Sequence, residues 1–103
     1  MKTNNDANPK EETSGKELVK TFKALSNKRR LAILKFLKNK KSLRGLSVGN
    51  ISEEIKLSFK STSKHLNILY LANILERDQV GLQIFYKISA PLPHITQHTI
   101  SIL

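Results

Sequence analysis

The run VGNISEEIKLSFKSTSKHLNILYLANI, residues 48–74, decides the fold. Val48, Ile51 and Ile55 recur at i, i+3 and i+7, which gives a short helix over Val48–Ile55 one apolar side. Lys56-Leu57-Ser58 reads as a tight turn, and a second helix runs from Phe59 to Ile74. Its period turns Leu66, Leu69 and Ile74 inward and leaves Lys60, Ser61, Ser63, Lys64 and Asn67 outward. Two short helices split by a three-residue turn, the second carrying small polar and basic side chains, form a helix-turn-helix pattern. Basic and hydroxyl side chains bond phosphates and fix register, while Ser, Asn and Lys also reach base edges in a major groove. The plain alternative is a solvated helix face. The segments on either side decide against it.

Upstream, Glu17–Leu25 places Leu18, Phe22 and Leu25 on one stripe, and Ser26 or Asn27 caps a second helix, Lys28–Leu37. The polar run Asn39-Lys40-Lys41-Ser42 ends it, and Leu43–Ser47, with Gly45, is a connector or a short strand. Downstream the period shortens to two. Leu75–Val80 and Leu82–Ser89 read as strands with Gly81 at the turn, and Ile84, Tyr86 and Ile88 share a face. A hairpin directly after the second helix sits where a wing belongs, and Arg77, Gln79 and Gln83 are its candidates for a minor groove or its phosphates. After Pro91 and Pro93, Leu92, Ile95, Thr99 and Ile102 form a helical stripe, and the apolar Ile100, Ile102 and Leu103 predict burial against a second subunit. Residues 1–16 are polar and read as a disordered tail. The expectation is therefore one α+β, mostly helical winged helix-turn-helix domain over residues 17–103. It has four to five helices, a two-stranded wing, and a dimerisation segment at residues 91–103.

Charge sharpens this reading. The chain holds 18 Lys and Arg against 8 Asp and Glu, and the first sixteen residues cancel. The whole excess of ten falls on the expected domain, which points first to nucleic acid. There is no cysteine, so disulfides, thiolate metal sites and cysteine nucleophiles are excluded. No window approaches a membrane span and the N-terminus lacks an apolar signal core, so a cytoplasmic protein without membrane insertion is expected. No Gly-rich phosphate loop, carboxylate pair near a His, or nucleophile–base spacing appears, so neither an enzyme nor a cofactor is expected. Glu53-Glu54 reads as a solvent-facing pair.

Some residues carry two readings. His65 either touches DNA or packs beside the turn between the helices. Lys38, Lys40, Lys41 and Arg44 read as a solvated charge run in preference to a backbone contact. Arg30 reads as structural, pairing with an acid or capping carbonyls, with Lys28 and Arg29 facing solvent. His94 and His98 share a helical face at i, i+4, but no cysteine or nearby carboxylate completes a metal set. They read as surface residues near a subunit interface.

Four segments together resemble the ArsR family of winged-helix repressors. FKALSNKRRLAIL (Phe22–Leu34) is similar to the family's opening, with Leu25, Arg30 and Leu31 in its Leu-x-x-x-x-Arg-Leu pattern. VGNISEEI (Val48–Ile55) resembles its first motif helix. STSKHLNIL (Ser61–Leu69) resembles its recognition helix, and GLQIFYKIS (Gly81–Ser89) its wing. The resemblance implies a homodimeric, DNA-binding transcriptional repressor whose recognition helices enter successive major grooves of a near-palindromic operator. It also implies where metal-sensing members hold their ligands. The positions matching one set read Ser47, Gly49 and Asn50 here, and those matching another begin Ala90-Pro91-Leu92, so neither familiar metal site is expected. A small-molecule inducer, a protein anti-repressor, or control by abundance alone is then left as the switch. Two rival readings stand beside this one: a sequence-neutral architectural DNA binder, and a winged-helix protein-interaction module.

Overall fold

Side-chain caps set where the helices begin. Ser14 Oγ accepts from the Glu17 amide at 3.1 Å while Glu17 Oε1 accepts from the Ser14 amide at 3.3 Å, a reciprocal capping box. Asn27 Oδ1 accepts from the Arg29 and Arg30 amides, Ser47 Oγ from the Asn50 amide, and Ser58 Oγ from the Ser61 amide. Each cap is worth about 1 kcal/mol. In the computed structural model, which describes residues 14–40 and 42–103, these caps open four of five helices. Among the described residues the order is α1 (Gly15–Leu25), α2 (Lys28–Asn39), β1 (Leu46–Ser47), α3 (Val48–Ile55), α4 (Phe59–Leu71), β2 (Leu75–Val80), β3 (Gln83–Ile88) and α5 (His94–Ser101).

Helix α2 runs two residues past the expected end, to Asn39, and β3 is a residue shorter at each end than expected; two other boundaries differ for visible reasons. The Ser14 cap starts α1 at Gly15, so Gly15 and Lys16 are helical and not part of a tail; residues 1–13 of that tail lie outside the described residues. Helix α4 stops at Leu71 because Asn73 takes a left-handed φ of 62°. Ile74 is buried as expected, but from the connection and not from the helix. The turn between α3 and α4 also rests on a left-handed residue, Lys56 at φ 58°.

The sheet has the order β1-β3-β2, antiparallel throughout. Val80 pairs with Gln83 across the two-residue turn Gly81-Leu82, with Gly81 at φ 64°. The connector contributes β1, so the expected two-stranded wing gains a third strand at its base: Leu46 pairs with Tyr86, and Ser47 with Phe85. Gly45, just before β1, lies at φ 100° against the backbone of Tyr86.

Helix α2 is the hub, packing against α1, α3, α4, α5 and β3. Its Ile33 and Leu34, Ile51 of α3, and Leu66 and Leu69 of α4 are fully buried, joined by Ile74, Leu75 and Tyr86. At roughly 1.5–3 kcal/mol for each such side chain, burial outweighs the caps and fixes how the helices lie. At the C-terminal segment the expected stripe is only partly the inward one. Leu92, Thr96 and Ile100 are the buried set, and Ile95 and Ile102 stay exposed. Within α1, Thr21, Ala24 and Leu25 are buried, leaving Phe22 half-exposed beside Val19.

Candidate nucleic-acid interface

Ser58 caps the N-terminus of α4 and Thr62 Oγ1 donates back to the Ser58 carbonyl at 2.8 Å, which pins the first turn. With Thr62, Leu66 and Leu69 buried, the opposite side is set: Lys60, Ser61, Lys64 and Asn67 are exposed, and Ser63 is half-buried. Helix α4 contains no acidic residue. Ser63 and Asn67 face a cleft of about 560 Å³ between α4 and the hairpin, also bordered by Phe59, Arg77, Leu82 and Ile84.

The hairpin's register sorts its candidates. Arg77 lies opposite Tyr86 and Gln79 opposite Ile84, so strand alternation puts both on the side that packs toward α4. The Arg77 guanidinium sits 4.0 Å from the centroid of the Tyr70 ring. Hydrogen bonding to Tyr86, followed by the charge interactions with Tyr86 and Tyr70, pushes its pKa above the ordinary guanidinium value. Arg77 is thus an oriented cation at the cleft. Gln79 Nε2 donates to the Gly81 carbonyl at 3.3 Å, holding its amide at the wing tip. Gln83 pairs with Val80 on the hairpin's other side, with Asp78 and Phe85, and only borders the cleft. The structure therefore brings Ser63, Asn67 and Arg77 around one cleft, with Lys60, Ser61 and Lys64 on the outer face of α4. Gln83 borders the same cleft from the hairpin's other face, while Gln79 lies at the wing tip and does not line it.

His65 turns the other way. Arg30 Nη1 lies 3.1 Å from His65 Nδ1, while Arg30 Nε donates to the Ala24 carbonyl at 2.6 Å and Nη2 to that of Lys23 at 3.2 Å. Arg30 is thus structural, as expected, through carbonyls at the end of α1 and without an acid. Burial first, then the charges of Arg30, Arg29 and Lys64, holds the His65 pKa below its ordinary value. The one ion pair among the described residues is Lys87–Glu76 at 3.8 Å, on the surface. Arg29, Lys60 and Lys64 consequently keep their charge unneutralised by any described acid.

Sequence reasoning missed two features here. Lys38 is not a solvated charge: its ammonium donates to the main-chain oxygens of Ile100, Ser101 and Leu103 at 3.4, 3.1 and 2.9 Å. Arg44 lies 5.6 Å from the Phe85 ring centroid, Lys40 is exposed, and the Lys41 position lies outside the described residues. The second is the Arg30–His65 link, which joins residues 35 positions apart and leaves no local pattern. Ser47 and Asn50 are engaged with each other: Ser47 Oγ donates to Asn50 Oδ1 at 2.9 Å and accepts from its amide. His94 and His98 are exposed on α5, and among the described residues no three His, Cys, Asp or Glu side chains come together as a metal site. Glu53 and Glu54 are exposed, and no described helix is long and apolar enough to cross a membrane.

Comparison with known proteins places this geometry. The family described as "Bacterial regulatory protein, arsR family" matches residues 27–77. The uncharacterized HTH-type transcriptional regulator YbzH of Bacillus subtilis (strain 168) is 30% identical over 82 residues, covering 69% of this chain and 82% of that protein. HlyU from Vibrio cholerae N16961 superposes with a TM-score of 0.69 at 29% identity, covering 84% of this chain and 87% of its own. The transcriptional repressor PagR of Bacillus anthracis superposes with a TM-score of 0.67 at 25% identity, covering 84% and 92%.

Proposed function

We propose that this chain, which belongs to the arsR family of bacterial regulatory proteins, is a cytoplasmic, dimeric, sequence-specific repressor of its own or a neighbouring operon. The observation that carries this reading is the exposed, acid-free face of α4, set beside an oriented Arg77 in the hairpin cleft. Lys60, Ser61 and Lys64 bind backbone phosphates, while Ser63 and Asn67 read base edges. Arg77 and Gln79 approach the flanking minor groove, with Gln83 at the margin. The similar protein PagR, named a transcriptional repressor, supports repression over activation.

Dimerisation is supported by apolar side chains left uncovered on or beside two helices that both pack on α2: Val19 and Phe22 of α1, Ile95 of α5, and Ile102 just after it. A second copy covering them sets two recognition helices roughly 34 Å apart, one DNA turn. Repression then consists of occupying a promoter. With Ser47 and Asn50 engaged in capping α3, a small-molecule inducer or a protein anti-repressor relieves it, and a metal at that position does not.

The test is fluorescence-anisotropy binding to DNA upstream of the chain's own coding region, against scrambled DNA of equal length at one fixed salt. A preference of about a hundredfold or more is expected, as is its loss in the double variant Ser63→Ala, Lys64→Gln. Equal binding to both DNAs supports a sequence-neutral architectural protein instead. Absence of binding to either supports a protein-interaction module.

A further inference from the structure

We infer that Arg30 is a positioning residue that locks the His65 imidazole as its Nε2–H tautomer, so that His65, while uncharged, donates a hydrogen bond to a DNA backbone phosphate flanked by Arg29 and Lys64. This rests on the DNA-binding reading above and adds the identity, protonation and supporting partner of one contact.

Arginine has five N–H donors and no acceptor. Arg30 spends Nε on the Ala24 carbonyl and Nη2 on that of Lys23, both at the end of α1, where the helix dipole is negative. Its plane is therefore fixed, and Nη1 is aimed at His65 Nδ1, 3.1 Å away. A donor there requires a lone pair on Nδ1, so the ring proton sits on Nε2. Protonating Nδ1 would set an N–H against an N–H and a cation against a cation.

The same bond holds the ring in place. His65 is half-buried, and among the described residues its Nε2–H has no protein acceptor. It lies one position from Lys64 on α4 and faces Arg29 and Arg30 of α2, while α1 contributes carbonyls. No described acid pairs with these cations. A fixed neutral donor within an uncompensated positive field suits an anionic oxygen acceptor, and on the flank of a recognition helix that acceptor is a phosphodiester. Arg29 and Lys64 bring charge to the contact, and His65 brings direction.

A neutral donor leaves a signature that a cation does not. Each cation that meets a phosphate releases counterions and steepens the dependence of log affinity on log salt by about 0.9. A neutral donor adds affinity with no slope. The experiment uses the full chain, labelled with ¹⁵N. Long-range ¹H–¹⁵N spectra of the free protein at pH 7.5, assigned through His65→Phe, are expected to show the Nε2–H tautomer, and Arg30→Lys is expected to mix the two tautomers. Anisotropy titrations across salt are expected to show His65→Phe losing about tenfold in affinity per protomer, the size of one hydrogen bond to a charged group, and so about a hundredfold for the dimer. That loss should be equal on operator and scrambled DNA, with an unchanged slope, whereas Arg29→Gln flattens the slope by about 0.9 per protomer.

Should His65→Phe melt early, His65→Gln, which keeps a donor and an acceptor, carries the titration and is expected to bind within about threefold of the parent. An Nδ1–H tautomer, unchanged affinity in a folded His65→Phe, or a slope reduced as by a lost cation each overturns the inference. If the parent protein binds neither DNA, the DNA-binding reading falls and takes the phosphate contact with it. The wrong tautomer in a protein that still binds its operator overturns this inference alone.

Discussion

Replacing Gly45 by alanine should cost far more than an exposed loop substitution, because two separate penalties meet at that residue. Its φ of 100° lies in the region that L side chains avoid, at a cost of about 1–2 kcal/mol. An added Cβ would also fall on the Tyr86 carbonyl oxygen, 2.8 Å from the carbonyl carbon and 3.2 Å from Lys87 Cβ. Tyr86 cannot retreat, since it pairs with Leu46 on one side and Arg77 on the other. Relief has to come from parting β1 and β3, an overpacking cost of about 1–3 kcal/mol. Together the loss is about 2–5 kcal/mol, a large share of the roughly 5–15 kcal/mol that stabilises a domain. The melting temperature should fall by about 8–40 °C, at roughly 4–8 °C per kcal/mol. Thermal and urea melts followed by circular dichroism measure this. Gly81→Asn is the control: φ is also positive, at 64°, but nothing lies near the new Cβ, so a change under about 1 kcal/mol is expected. If Gly45→Ala and Gly81→Asn melt alike, the close approach of β1 to β3 is not what Gly45 serves.

Three further outcomes can be checked on the same protein. Lys38→Met keeps the buried stem but removes the donor to three main-chain oxygens at the end of α5; a loss of about 1–3 kcal/mol is expected, and a urea midpoint equal to the parent's would contradict it. Ile102→Asp places a charge at the exposed apolar C-terminal end of α5 and should shift the protein from dimer to monomer in sedimentation, with secondary structure retained. Acidification should destabilise the fold through His65. Its folded pKa lies below the ordinary histidine value, so the unfolded chain binds more protons and the contribution is complete above about pH 6.5. That contribution is lost as pH falls from there through the folded pKa, and His65→Phe should melt with a shallower decline between pH 7.5 and 5 than its parent.

Much of the architecture was readable because it is local. The apolar spacing in residues 48–74 placed α3, the turn and the start of α4 within a residue or two, and each boundary was confirmed by a nearby side chain such as Ser58. Helix ends set by a left-handed residue were harder, since Asn73 looks no different in sequence from an asparagine in a helix. The phase of α5 failed for another reason. With β-branched residues at 95, 96, 99, 100 and 102, more than one apolar stripe can be drawn around it. Which stripe turns inward is decided by how Leu92 and Ile100 join the core. Of the stripe expected from sequence, Leu92 joins the core and Thr99 is half-buried, while Ile95 and Ile102 face out and describe the surface offered to a partner.

The functional face divides along the same line. Lys60, Ser61, Lys64 and Asn67 could be assigned from the helix alone, because a residue opposite Leu66 and Leu69 is outward whatever the rest of the chain does. Arg77 and Gln83 could not be separated until strand register was known, since one residue of slip exchanges the two faces of a hairpin. Arg30 and His65 belong to a third kind, in which neither residue has a settled role by itself. An arginine beside carbonyls is a cap, and a histidine beside a cation is an unfavourable neighbour. Only the 3.1 Å contact makes the first a reason for the tautomer of the second. A basic recognition face needs cations for affinity, but cations are long and mobile and attract any phosphate within reach. A ring held by a guanidinium that is itself held by two carbonyls has little of that freedom. The seating of α4 on the DNA backbone, the same on operator and scrambled DNA, should therefore depend more on His65 than its missing charge suggests, and the salt-dependent part of the affinity should depend on Lys60, Lys64 and Arg29.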